Sequence, residues 1–141
     1  MYWLAIIITI VANIGYHLSQ KSIDSEVNPY VALSVTYAVA LAISLSLAVL
    51  TTPDWGWALQ IKHANWAPVA LGGAIVGLEL GFLLAYRYGW NLNSAALYSN
   101  VVVAIGLVPI GWLWFAEHLS VRRSVGLVLA LIAIGLLTTR N

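Results

Sequence analysis

Glu79 is an acid set inside a long apolar run, GGAIVGLELGFLLAYRYGW. A carboxyl near the middle of such a run is too deep for its short side chain to reach either water boundary. Hydrocarbon disfavours the charged form of any acid, so a group placed there serves as a proton carrier or, once ionised, as a ligand for a cation. The bland alternative is a structural carboxyl satisfied by a neighbouring helix. Polar residues also recur nearer the N-terminus, where Thr9, Asn13, Tyr16, His17 and Gln20 fall three or four apart. That spacing gathers them on one stripe of a helix, which must then face protein or water. Interhelical hydrogen bonding explains such a stripe at about 1 kcal/mol per contact, and a lone histidine such as His17 is most often structural.

Tyr86 shares the Glu79 face with Phe82 and Leu83, because steps of three, four and seven residues return to the same side of a helix. Ser34, Tyr37 and Ser44 lie in a second apolar run, and Asn93, Tyr98 and Asn100 in a fourth. At compatible depths, Asn13, Tyr16, His17, Tyr37, Glu79, Tyr86, Tyr98 and Asn100 are expected to line a cavity open to one side, where tyrosine rings hold a cation or an aromatic solute. Other chemistries have no residues to carry them. There is no Cys, hence no disulfide, thiolate metal site or cysteine nucleophile. The histidines are separated, no acids pair at catalytic spacing, and no metal-ligand spacing or phosphate-cradling glycine loop occurs. Neither an enzyme nor a bound cofactor or metal is expected. A net charge of +1 provides no field for nucleic acid and no polybasic lipid anchor.

The elements that position these groups follow from composition. Of 141 residues, 62% are hydrophobic and 8% charged, where soluble domains carry about 25% charged residues. Mean hydropathy is +0.91. Apolar runs at about residues 2–20, 30–51, 67–87, 94–115 and 121–138 are each near the length that crosses about 30 Å of hydrocarbon. They are too long and too uniformly apolar for barrel strands, so the expectation is an all-α, polytopic membrane protein of five transmembrane helices, with residues 1–141 forming one domain. Asn28-Pro29 opens the second helix, Pro53-Asp54 follows its end, Pro68 sits in the first turn of the third, and Ser94 and Ser120 are candidate N-caps. Tyr2, Trp3, Trp55, Trp57, Trp66, Trp112 and Trp114 mark one water boundary, and Tyr30, Tyr88 and Trp90 the other. The N-terminus lacks the basic region and cleavage site of a signal peptide, so the first span is expected to be retained.

With five spans, Lys62, Arg122 and Arg123 fall on one side and Lys21, Arg87 and Arg140 on the other. Three basic residues against three leave the charge bias that fixes orientation without a preference, as expected of a chain that inserts both ways and pairs with an inverted copy. Gly73, Gly77 and Gly81 form a small-residue stripe pointing away from Glu79, suited to helix packing, and Gly126 and Gly135 do the same for an otherwise apolar fifth helix. Pro109 interrupts the backbone ladder of the fourth.

The segments LELGFLLAYRYGWNLNSAALYSN, GWLWFAEHLS and VRRSVGLVLALIAIGLL, preceded by ANIGYHLSQKSI and NPY, resemble the EamA-type repeat of the drug/metabolite transporter superfamily, with nearly the whole chain forming one repeat. Glu117 resembles that repeat's corner acid. Val101, Val102 and Val103 stand where the repeat's early proline would be, and Glu79 has no counterpart in it. Most members join two repeats, so the resemblance implies that a single-repeat chain pairs as an antiparallel homodimer to build a ten-helix inverted-repeat transporter. The expected activity is secondary transport of a small metabolite or drug-like solute by alternating access, coupled to protons through Glu79, in a prokaryotic inner or plasma membrane. A lipid-linked-sugar flippase subunit and a non-transporting assembly partner are the alternatives. The expected partners are a second copy, the solute and membrane lipid.

Overall fold

The computed structural model describes residues 2–52, 56, 60–116 and 120–138. Pro53, Asp54, Trp55, Trp57, Glu117 and Arg140, singled out in the sequence, lie outside the described residues, as do the side chains of Tyr2, Arg122 and Arg123. Every regular element among the described residues is helical: α1 (Tyr2–Ser22), α2 (Pro29–Thr51), α3 (Ala67–Arg87), α4 (Leu92–Trp114) and α5 (Val121–Thr138), with a 3-10 turn at Ile61–His63. These helices begin and end within two residues of the apolar runs read from the sequence. The first four are long and apolar enough to cross a membrane; in α5 the apolar stretch is the shorter Ser124–Leu136. The chain is therefore a multi-pass integral membrane protein in character, all-α among the described residues.

Local chemistry accounts for the boundaries. Asn28 caps α2, its side chain accepting from Tyr30 N at 2.9 Å, and Pro29 follows at a position where its missing N–H costs nothing. α3 starts with Ala67 and Pro68 in its first turn. Its end is marked by Gly89, whose φ of 92° is the left-handed conformation that relieves the last turn and that only glycine adopts without strain. The expected N-cap Ser94 is corrected: α4 begins at Leu92 after Asn91, and Ser94 N donates to Asn93 Oδ1 at 2.9 Å inside the first turn.

Two compact units make up the chain, residues 1–88 and 89–141. In the first, α3 packs against both α1 and α2. Leu83 is completely buried and Leu33 of α2 nearly so, and they form the apolar centre of this three-helix unit. Replacing Leu83 by Ala is expected to cost about 2–5 kcal/mol through a cavity that its neighbours cannot close, read as a drop in the unfolding midpoint in detergent. Arg87 ties the end of α3 to the α1–α2 connection, its Nη2 donating to Val27 O at 2.6 Å and Asp24 O at 3.1 Å. In the second unit α4 packs against α5, with Ala95 and Ile134 buried.

Hydroxyls on the exposed faces of α1 and α2 are satisfied within their own helix. Thr9 Oγ1 donates to Ala5 O at 3.0 Å, Ser34 Oγ to Tyr30 O at 2.7 Å, Ser44 Oγ to Leu41 O at 3.1 Å and Ser46 Oγ to Ala42 O at 2.8 Å. Bonding back to a preceding carbonyl lets a serine or threonine face hydrocarbon at little cost. Thr9, Ser34 and Ser44 therefore need no cavity to explain them.

Candidate functional site

The face of α3 that meets α1 and α2 carries Glu79, Leu83 and Tyr86, all buried, at the spacing of four and three that a helix repeats. From α1, His17 and Gln20 are buried against it and Tyr16 is half-buried; from α2, Tyr37 is half-buried. Five of the eight residues expected to line a site, Tyr16, His17, Tyr37, Glu79 and Tyr86, are thus gathered within the first unit. Asn13 lies on α1 a turn before His17 and is exposed. Tyr98 and Asn100 belong to the second unit, where both are exposed and the Tyr98 ring stands 6.0 Å from that of Trp90.

The cluster has an aromatic half and a polar half. Tyr86 Oη and His17 Nδ1 are 2.8 Å apart. With the phenol donating, the imidazole keeps its own proton on Nε2. Phe82 stands edge-on to His17, with ring centroids 4.7 Å apart, and Tyr16 does so at 5.1 Å. Phe82 and Tyr86 stack at 6.1 Å, and Lys21 Nζ lies 6.0 Å from the centroid of the Tyr86 ring. These contacts leave His17 boxed by three rings, so its position is fixed by packing as well as by one hydrogen bond. Tyr86→Phe removes that bond and strands a buried ring nitrogen; a stability loss of about 1–3 kcal/mol is expected, and unchanged unfolding in detergent would show that the contact contributes nothing.

Glu79 anchors the polar half. Only 8% of its surface is exposed. Gln20, 6% exposed, sends Nε2 to Glu79 O at 3.5 Å and to Tyr16 Oη at 3.4 Å, both long contacts. The Tyr37 hydroxyl lies close enough to the Glu79 carboxyl to interact electrostatically with it. Its geometry nevertheless falls short of a hydrogen bond, and Tyr37 Oη, Glu79 Oε2 and Gln20 Oε1 are buried with no hydrogen-bond partner among the described residues. Geometry decides here, since a hydrogen bond weakens steeply with distance and angle while electrostatic coupling does not. The three helices thus bury an acid, an amide and a phenol in the same unit, and the acid is a group able to exchange a proton.

Gln20 and Arg87 were the residues whose importance was hardest to foresee. Gln20 shares the stripe of His17, and its burial follows from that spacing; Arg87 reads from the sequence only as a boundary charge. Gly73, Gly77, Gly81, Gly126 and Gly135 are all exposed, with open space where a Cβ would stand. No protein-family model, curated protein or solved structure matches the chain.

Proposed function

We propose that the chain is a subunit of a secondary transporter that moves a small metabolite or drug-like solute by alternating access, with Glu79 taking up and releasing a proton in each cycle. The observation that carries this reading is the burial of Glu79 among three helices with Oε2 unpartnered. A carboxyl at membrane depth is costly, and a purely structural one is expected to have its hydrogen bonds completed. The neighbouring Tyr37 hydroxyl, equally unpartnered, gives a solute or proton a second contact. In this proposal α5 is the fifth span, and two oppositely inserted copies assemble into a ten-helix inverted pair in a prokaryotic inner or plasma membrane. The balanced loop charges and the resemblance to a single EamA-type repeat support that assembly.

The test uses the purified full chain in liposomes enclosing a pH-sensitive dye, challenged with a panel of organic cations, amines, sugars and carboxylates. At least one solute class is expected to drive proton movement in protein-containing vesicles and not in empty ones. A panel that moves no protons at all would overturn proton-coupled transport.

A further inference from the structure

We infer that the first unit is gated at the end where the α1–α2 connection meets Arg87, that this gate is shut here, and that Glu79 exchanges its proton with water through the opposite end. The inference deepens the proposed function and rests on its reading of Glu79 as a proton carrier; it names the gate that alternating access requires. Three sets of contacts shut the gate. Leu83, one turn beyond Glu79 on the same face of α3, is completely buried, and Leu33 of α2 is nearly so. Tyr86 Oη meets His17 Nδ1 at 2.8 Å, with Phe82 edge-on to the imidazole. Arg87 Nη2 donates to Val27 O at 2.6 Å and to Asp24 O at 3.1 Å, and Asp24 Oδ1 accepts from Glu26 N at 2.9 Å within the same connection. Two successive residues of α3, Tyr86 and Arg87, thus fasten α1 and the connection to it. Arg87 Nε meanwhile is buried with no hydrogen-bond partner among the described residues, a cost of closure that opening relieves.

Towards the other end the same three helices part. A step of four residues keeps the face of each helix and moves one turn away from the gate: Asn13 precedes His17 on α1, Leu41 follows Tyr37 on α2, and Ile75 precedes Glu79 on α3. Asn13 and Leu41 are exposed and Ile75 is half-buried, although His17 and Glu79 are buried. Residues 3–15 of α1, 38–47 of α2 and 67–74 of α3 are exposed on every face. Helices packed along their whole length would bury one stripe throughout. Glu79 therefore stands at the border between a packed half and a parted one. Helical side chains lean towards the N-terminus of their helix, which for α3 is the parted end, so the carboxyl is directed away from the gate.

Cysteine labelling of the detergent-purified full chain decides the matter. The sequence has no Cys, so every thiol is an introduced one, and a thiol reacts as its thiolate, which forms in water and not in hydrocarbon. A charged, water-soluble methanethiosulfonate is the probe. Asn13→Cys, Leu41→Cys and Ile75→Cys are expected to react at least about tenfold faster than Val39→Cys, an exposed position on the opposite side of α2 from Leu41. Leu33→Cys and Leu83→Cys are expected to be slow, and Arg87→Gln to speed both about tenfold, the scale of one lost hydrogen bond to a charged group. Asn13, Leu41 and Ile75 thiols as slow as the one at Val39 would mean that lipid fills the parted half, which overturns the inference. Slow Leu33 and Leu83 thiols that ignore Arg87→Gln overturn the gate. If Leu83→Cys does not fold, Leu33→Cys and the three positions at the parted end decide without it. This labelling pattern without solute-driven proton movement sinks the transport proposal alone; proton movement without the pattern sinks the gate alone.

Discussion

Glu79→Gln yields a protein that folds, elutes with the wild type in detergent and moves no protons in response to solute. Gln keeps the size of the side chain and most of its hydrogen-bonding capacity, so the apolar centre built by Leu83 and Leu33 is undisturbed and a stability change within about 1 kcal/mol is expected. What is lost is the only group in the buried cluster whose charge can change by releasing a carboxyl proton, because the remaining members are Tyr16, His17, Gln20, Tyr37, Phe82 and Tyr86. Proton movement in liposomes is therefore expected to fall to the level of empty vesicles, while solute binding is reduced only by the loss of one ionic contact. Equal proton movement in the variant would remove Glu79 from the mechanism. A variant that fails to fold would return the carboxyl to a structural role.

Single added lysines are expected to convert a mixed population of orientations into a one-sided one. With five spans, exposed Gln60 and exposed Ser25 lie in connections on opposite sides, and three basic residues on each side balance. Because orientation follows the difference in short-loop lysine and arginine, one extra charge creates a bias where none existed. C-terminal fusions report it: a fluorescent protein that matures only in the cytoplasm and a phosphatase active only outside. In the wild type both reporters are expected to be active. Gln60→Lys shifts the balance towards the phosphatase and Ser25→Lys towards fluorescence, since each draws its own side into the cytoplasm. Each variant alone loses most solute-driven transport, and co-expression of the two restores it, as an inverted pair requires. A single wild-type orientation, indifferent to both substitutions, would contradict inverted pairing.

The helices and the face bearing Glu79 were legible for physical reasons. Apolar runs near bilayer length must satisfy their own backbone, which leaves helix as the outcome, and Asn28-Pro29 marks a start that the structure uses. The 3.6-residue period put Phe82, Leu83 and Tyr86 beside Glu79, and the structure buries Leu83 and Tyr86 with it. Partners across helices were less legible, because they depend on which helices pack and at what height. Asn13 shares the stripe of His17 yet stays exposed, while Gln20 at the other end of the same stripe is buried against Glu79. The apparent polarity of Thr9 and Ser34 dissolves into bonds to their own helix carbonyls. Arg87 counts as a boundary charge until the fold brings Asp24 O and Val27 O to its guanidinium. Serine favours the N-cap position, which points to Ser94, but α4 starts earlier, at Leu92 after Asn91, whose side chain makes no capping hydrogen bond.

The central claim is that the Glu79 carboxyl changes its protonation when solute binds. Infrared difference spectroscopy of the protein in lipid, recorded at fixed pH and salt with and without a solute that drives proton movement, reads this directly through the carbonyl stretch of a protonated carboxyl. The account predicts a protonated-carboxyl band that diminishes on solute addition and is absent in Glu79→Gln. A solute that binds with no change in that band, or a band that responds identically in Glu79→Gln, would contradict it.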